Sequence, residues 1–197
     1  MSLIARISEQ FDESATLART SVETLAGPIA DAIERLVGAL ANDHKILACG
    51  NGASAGDAQH LAAALGSRFE RERPELAAIG LAASPELLTA IADDYRFEDV
   101  FSRQIRALGQ AGDVLVAISP TGNSPDVIAA IGAAHDRAMP VVALTGRGGG
   151  NVATMLGDED VHLCVAHERV ARIQEIHRLI IHCLCDGIDS ALLGEQA

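Results

Sequence analysis

The sequence predicts an α/β protein in which a parallel sheet of five strands carries helices on both faces, behind a helical N-terminal stretch. Three observations predict it. Short apolar runs of strand length alternate with stretches of helical periodicity along the whole chain. The central run, residues 114–118 (VLVAI), is apolar at every position, as a strand covered on both faces must be. Two runs, 45–49 and 114–118, pass straight into loops of small and hydroxyl residues that open a helix, the turn expected between a strand and its crossover helix.

Residues 2–43 have helical spacing, with Leu3, Ile7 and Phe11, then Ile29, Ile33, Leu36, Val37 and Leu40 three or four apart. Gly27 and Pro28 are expected to divide this stretch into two helices, with Pro28 at the first position of the second. Such helices either cover the sheet of their own chain or join a bundle between chains. The first strand is 45–49, its loop 50–54 (GNGAS), and a helix follows over 55–70. After a charged turn at 71–74 come a short strand at 76–82, a helix at 85–92 ended by Asp93 and Asp94, and a helix at 100–108 punctuated by Gly109 and Gly112. Beyond the central strand, Ser124 stands as N-cap and Pro125 as first residue of a helix over 124–138. A strand at 141–145, a glycine-rich turn through Gly146 and Gly148 to Gly150, a short helix at 152–156, a strand at 161–165 and a helix at 169–193 complete the chain. No linker is long enough to divide domains, so the expectation is one domain over 1–197 with a helical extension over 1–43.

The formal net charge of −12 opposes attraction to a nucleic-acid backbone, and no basic cluster interrupts it. No segment approaches the ~18 uninterrupted apolar residues of a membrane span. The N-terminal stretch MSLIARISEQFDES carries acidic residues where a signal peptide needs an apolar core, so a cytoplasmic protein is expected. Cys49, Cys164, Cys183 and Cys185 fit that compartment as buried free thiols, and their spacing is neither that of a zinc site nor that of a disulfide framework.

The chemistry concentrates in the two loops. A helix N-terminus presents unpaired N–H groups and partial positive charge, and a loop of Ser119, Thr121, Gly122, Asn123 and Ser124 placed there suits an anion, phosphate above all. Ser, Gly and Asn are also ordinary turn and cap residues, and either loop alone fits that plainer role. Two such loops at the carboxyl ends of parallel strands, however, face one crevice, where open α/β sheets bind ligands. Neither G-x-x-x-x-G-K-[ST] nor G-x-G-x-x-G occurs, so a nucleotide is unsupported and a sugar phosphate is the expected ligand. On the helices, His60 lies about two turns after the first loop, and Gln174 and His182, eight apart, share one face of the last helix. Two histidines could hold zinc, but a third or fourth ligand at helical spacing is missing, so no cofactor is certain and zinc is a possible one.

The segments CGNGASAGDAQH, FERERP, AIADDY, FSRQIRALGQAGDVLVAIS, TGNS and ARIQEIH resemble the sugar isomerase (SIS) domain. More narrowly, they resemble the branch that holds phosphoheptose isomerase and the replication-initiator-associating protein DiaA. The resemblance covers nearly the whole chain. It implies a flavodoxin-like sheet and a homotetramer with sites between subunits. Asn51, Gly52, Ser54, Asp94, Ser119, Thr121, Ser124 and Gln174 are then the implied sugar-phosphate contacts. His182 is the implied catalytic group if the protein is an isomerase, and His60, Gln174 and His182 are the implied zinc ligands.

Four residues after the histidine that corresponds to His60, phosphoheptose isomerases carry a glutamate; here the position is Ala64. Aldose–ketose isomerisation moves a proton between adjacent carbons and needs a base within reach, which a methyl group cannot supply. Asp57, Asp94 and Glu175 are candidate substitutes, though none stands one turn after His60. The family's acidic residue before Arg172 is Ala171, and Pro120 replaces a threonine, removing one N–H from the phosphate loop. CLCDGIDSALL and ARIQEIH look most like the DiaA branch, and the expectation is therefore a phosphosugar-binding regulator that binds the initiator protein DnaA, with Leu192 and Leu193 as partner surface. Isomerisation of sedoheptulose 7-phosphate for lipopolysaccharide heptose is the alternative, favoured by the retained His60, Gln174 and His182. A ligand-sensing module with neither role is a third.

Overall fold

The structure, a computed structural model, describes residues 1–194. Its strands are β1 (Ile46–Gly50), β2 (Ala78–Gly80), β3 (Val114–Ser119), β4 (Val141–Gly146) and β5 (Val161–Val165). They form one sheet in the order β2-β1-β3-β4-β5, and every pairing is parallel. That is the flavodoxin-like order, with the chain reversing direction across the sheet between β1 and β3. The helices are α1 (Leu3–Leu40), α2 (Ala53–Gly66), α3 (Pro85–Asp94), α4 (Ser102–Leu108), α5 (Pro125–His135), α6 (Gly150–Ala153) and α7 (Val170–Leu193), with 3-10 turns at Phe97–Asp99 and Arg147–Gly149.

Side chains alternate across the pleat and so build two cores. Ile46 and Ala48 of β1, Val114, Val116 and Ile118 of β3, and Val142 and Leu144 of β4 pack under α1, α2 and α7. Leu47 and Cys49, Leu115 and Ala117, and Val141 and Ala143 pack on the other face, under Val100, Phe101, Ile105, Val127 and Ile131. Each fully buried leucine or isoleucine contributes about 1.5–3 kcal/mol.

One expectation is overturned: residues 3–40 form a single helix that runs through Gly27 and Pro28. Proline removes one intrahelical hydrogen bond and crowds the carbonyl four residues earlier. That carbonyl belongs to Thr24, which is exposed and can bond to water. Leu25 on one side of Pro28, and Ala32 and Leu36 on the other, are all buried in the same core, so packing carries the helix across. The thiols also depart from expectation. Cys49 and Cys185 are buried, Cys164 is half-buried and Cys183 is exposed. Burial pushes the Cys185 thiol up to about 12 and the Cys49 thiol higher still. The strand expected at 76–82 contracts to Ala78–Gly80, and the helix expected at 55–70 runs over Ala53–Gly66.

Candidate functional site

The loops after β1 and β3 lie side by side, because Gly50 pairs with Ile118 at the carboxyl ends of those two strands. This is the topological switch point of the sheet, where open α/β folds bind ligands. Asn51, Gly52 and Ser54 come from the first loop, and Ser119, Thr121 and Ser124 from the second. The backbone of the second loop is fixed from the far side. Gly122 has φ of +65°, and a Cβ there would lie 1.8 Å from the carbonyl oxygen of Gly149, so only glycine fits. Val152 N–H donates to the Gly122 carbonyl at 2.9 Å, and Asn151 N–H to Asn123 Oδ1 at 3.0 Å. The glycine-rich turn thus buttresses the loop.

Ser124 is the N-cap of α5 by position, but its hydroxyl does not cap; it lies 3.0 Å from the Ser119 hydroxyl. Two hydroxyls and the free N–H groups of a helix start therefore converge, a donor set that suits a phosphate. Ser54 Oγ is buried with no hydrogen-bond partner among the described residues. Asn51 Nδ2 donates to Asp126 Oδ1 at 2.9 Å.

A second cluster joins α2 to α7. The rings of His60 and His182 stand 5.3 Å apart at 57°, and Phe69 lies 5.6 Å from His182. Arg178 pairs with the buried Asp57 at 2.6 Å, one turn before His60. Burial raises the Asp57 pKa, against the pull of Arg178, His60 and His182. Burial also lowers that of His60, helped by the charges of Arg178 and His182, so His60 is neutral at neutral pH. Arg73 fixes this geometry. Its guanidinium donates to the carbonyls of Ala64 at 2.6 Å and Leu65 at 2.8 Å, closing the C-terminus of α2, and its Nε donates to Asp189 of α7 at 2.5 Å. His60 lies seven residues into α2, roughly 10 Å along the axis from the first loop.

Asp94 and Gln174 are placed on α3 and α7, exposed and half-buried respectively, with no hydrogen bond or ion pair to either loop among the described residues. Leu192 and Leu193 are 37% and 39% exposed in the last turn of α7. Of the expected zinc ligands, His60 and His182 stand together; position 64 offers a methyl group, and no cluster of three or more His, Cys, Asp or Glu able to hold a metal occurs among the described residues.

A cavity of about 790 Å³ lies elsewhere, at the amino ends of the strands, lined by Asp31, Glu34, His44, Gly112 and Asp160. Its acidic wall disfavours an anion, whereas the loops at the carboxyl ends offer donors. Sequence reasoning missed Asp126, Arg178, Phe69 and Arg73, all of which act across helices far apart in the chain. Only Arg73 left a local signal, as an arginine in the charged turn that follows a helix.

The SIS domain signature matches residues 10–146. The chain is 61% identical over 196 residues to the phosphoheptose isomerase of Azoarcus sp. (strain BH72), covering the whole of both. It superposes with a TM-score of 0.92 on the phosphoheptose isomerase of Neisseria gonorrhoeae, at 52% identity, over 96% of this chain and 100% of that one. For the phosphoheptose isomerase of Francisella tularensis the TM-score is 0.94 at 39% identity, with the same coverage. On this ground, and with its fold and its two small-residue loops at the switch point, the chain belongs to the SIS-domain family of phosphosugar-binding proteins.

Proposed function

We propose that the chain is a phosphoheptose isomerase acting on sedoheptulose 7-phosphate, slowed by the alanine at position 64. The observation that carries this reading is the contact of His60 with His182 two turns along α2 from the phosphate-type loops. An extended seven-carbon sugar, with phosphate at one end and the carbonyl at the other, spans a distance of that order. In this reading Ser119, Thr121 and Ser124 hold the phosphate, Asn51, Gly52 and Ser54 the sugar chain, and Asp94 and Gln174 supply further polar contacts. His182 moves the proton at the substrate oxygen, the ordinary task of an imidazole near neutral pH. The carbon-bound proton needs a second base, and the candidate is the Asp57 carboxylate, whose charge is coupled to both histidines. The high identity to named phosphoheptose isomerases supports this reading over a regulatory one.

One observation favours a second reading. Ala64 leaves no carboxylate one turn after His60, which suits a DiaA-like protein that binds a sugar phosphate and the initiator DnaA, with Leu192 and Leu193 as the contact surface. The test is to incubate the purified protein with sedoheptulose 7-phosphate and follow the aldose product by NMR. Turnover abolished by His182→Gln supports the isomerase. Binding without turnover, together with capture of purified DnaA that is lost in Leu193→Ser, supports the regulator.

A further inference from the structure

We propose that Asp126 determines what Asn51 recognises: by holding the Asn51 amide nitrogen, it turns the Asn51 carbonyl oxygen toward the ligand, so that Asn51 reads a sugar hydroxyl and not the phosphate. The inference rests on the phosphosugar reading of the site and assigns its two ends. A carboxylate can only accept hydrogen bonds. Asn51 Nδ2 donates to Asp126 Oδ1 at 2.9 Å, so the amide has one orientation, with its oxygen directed away from Asp126. Asp126 is 2% exposed whereas Asn51 is exposed, which sets the carboxylate beneath the loop and the asparagine above it. The other carboxylate oxygen, Oδ2, is buried without a hydrogen-bond partner among the described residues. The carboxylate charge therefore sits close beneath the loop, in the first turn of α5.

Such a charge is felt by whatever binds next to it. A phosphate dianion offers only acceptors, so it cannot pair with Asn51 Oδ1, and on the β1 loop it would meet the Asp126 carboxylate without the free N–H groups of the α5 start to offset that charge. A hydroxyl donates to Oδ1 and meets no such penalty. Donors for the phosphate stand on the β3 loop instead, in the hydroxyls of Ser119 and Ser124, 3.0 Å apart, and of Thr121. The ligand class is thus a polyhydroxylated chain with its phosphate on the β3 loop and a hydroxyl on the β1 loop.

The test uses the full chain and the isosteric variant Asp126→Asn, with calorimetric titration of sedoheptulose 7-phosphate and of inorganic phosphate. An asparagine there frees the Asn51 amide to turn over and removes the repulsion. The expected result is an affinity for the sugar phosphate about ten- to a hundredfold lower, in line with a lost charged hydrogen bond, while inorganic phosphate binds as before or more tightly. Parallel changes for both ligands would overturn the proposal, as would no change in either. If the parent protein binds phosphate but gains nothing from the sugar, the proposal fails while the phosphate site stands. If it binds neither ligand, the phosphosugar reading itself fails. A second measurement needs no variant at position 126: in ¹⁵N-labelled parent protein, the Asn51 side-chain amide protons, assigned by their loss in Asn51→Ala, should stay in place when inorganic phosphate is added. A shift under phosphate alone would show that the nitrogen faces the anion and would overturn the assignment.

Discussion

Ala64 lies one turn after His60 on the same face of α2, and at 6% exposure it is part of the core shared with α7. A glutamate there would meet His60 at i,i+4 spacing, where a carboxylate can both orient the imidazole and take a proton from carbon. Ala64→Glu should therefore raise turnover of sedoheptulose 7-phosphate by about a hundred- to ten-thousandfold, the usual contribution of a positioned base, at some loss of thermal stability. A folded variant with unchanged turnover would mean that Asp57 or another group already supplies the base. A second residue governs acid stability. His177 is fully buried and donates Nε2–H to the Thr145 carbonyl at 2.9 Å, while its Nδ1 has no partner among the described residues. Burial lowers its pKa from 6.5 to about 4. The unfolded chain thus binds the proton more readily than the folded one between those values. The stabilisation is complete above pH 6.5 and is lost as pH falls toward 4, by up to ~3 kcal/mol. Calorimetric melting should show Tm falling over that window, less so in His177→Gln, and an NMR titration midpoint for His177 near 6.5 would contradict this account.

Between elements, the pairing of α2 with α7 rests on Arg73. Both members of the Arg73–Asp189 pair are buried, with side chains 1% and 2% exposed, and the same guanidinium closes two carbonyls of α2. Removing it alone leaves Asp189 as an uncompensated buried charge. Arg73→Met should destabilise the fold by about 3–5 kcal/mol in urea unfolding, and Arg73→Met with Asp189→Leu should recover much of that. No recovery in the double variant would show that the carbonyl contacts, not the charge, dominate. The difference between what the sequence revealed and what it hid follows the same division. The strands were legible because continuous apolar runs are local signals, and the two loops because hydroxyls and glycines at strand ends are local too. The unbroken α1 was not legible, since Pro28 is a local stop signal and its override comes from buried Leu25, Ala32 and Leu36, which only the assembled core reveals. The Asp57–Arg178 pair and the Asn51–Asp126 bond were hidden for the same reason, each joining residues more than seventy apart in sequence.

At the scale of the molecule, α1 is longer than the domain can cover. Its second half buries Leu25, Ala32 and Leu36 in the core shared with α7, but toward its N-terminus Leu3, Ile4 and Phe11 are 74%, 77% and 74% exposed, with Ile7 at 49%. Leu3, Ile7 and Phe11 recur every four residues, so they form one apolar stripe that the other described residues leave largely exposed. An exposed stripe of that kind marks an interaction surface. The occupant expected is another copy of the same helix, because self-complementary contacts close into symmetric oligomers and the family resemblance implies four chains. Light scattering at micromolar concentration should then give four times the 20.5 kDa chain mass. Ile7→Glu with Phe11→Glu should reduce it, since a charge on each facing helix would be buried without a partner. Because the first small-residue loop and the His60–His182 pair lie roughly 10 Å apart along α2 in one chain, the dissociated variant also tests whether the proposed site is shared. Retention of sugar-phosphate affinity after dissociation would confine the site to one chain, and a parent protein that is monomeric from the outset would remove the stripe, and the interchain site with it, from this account.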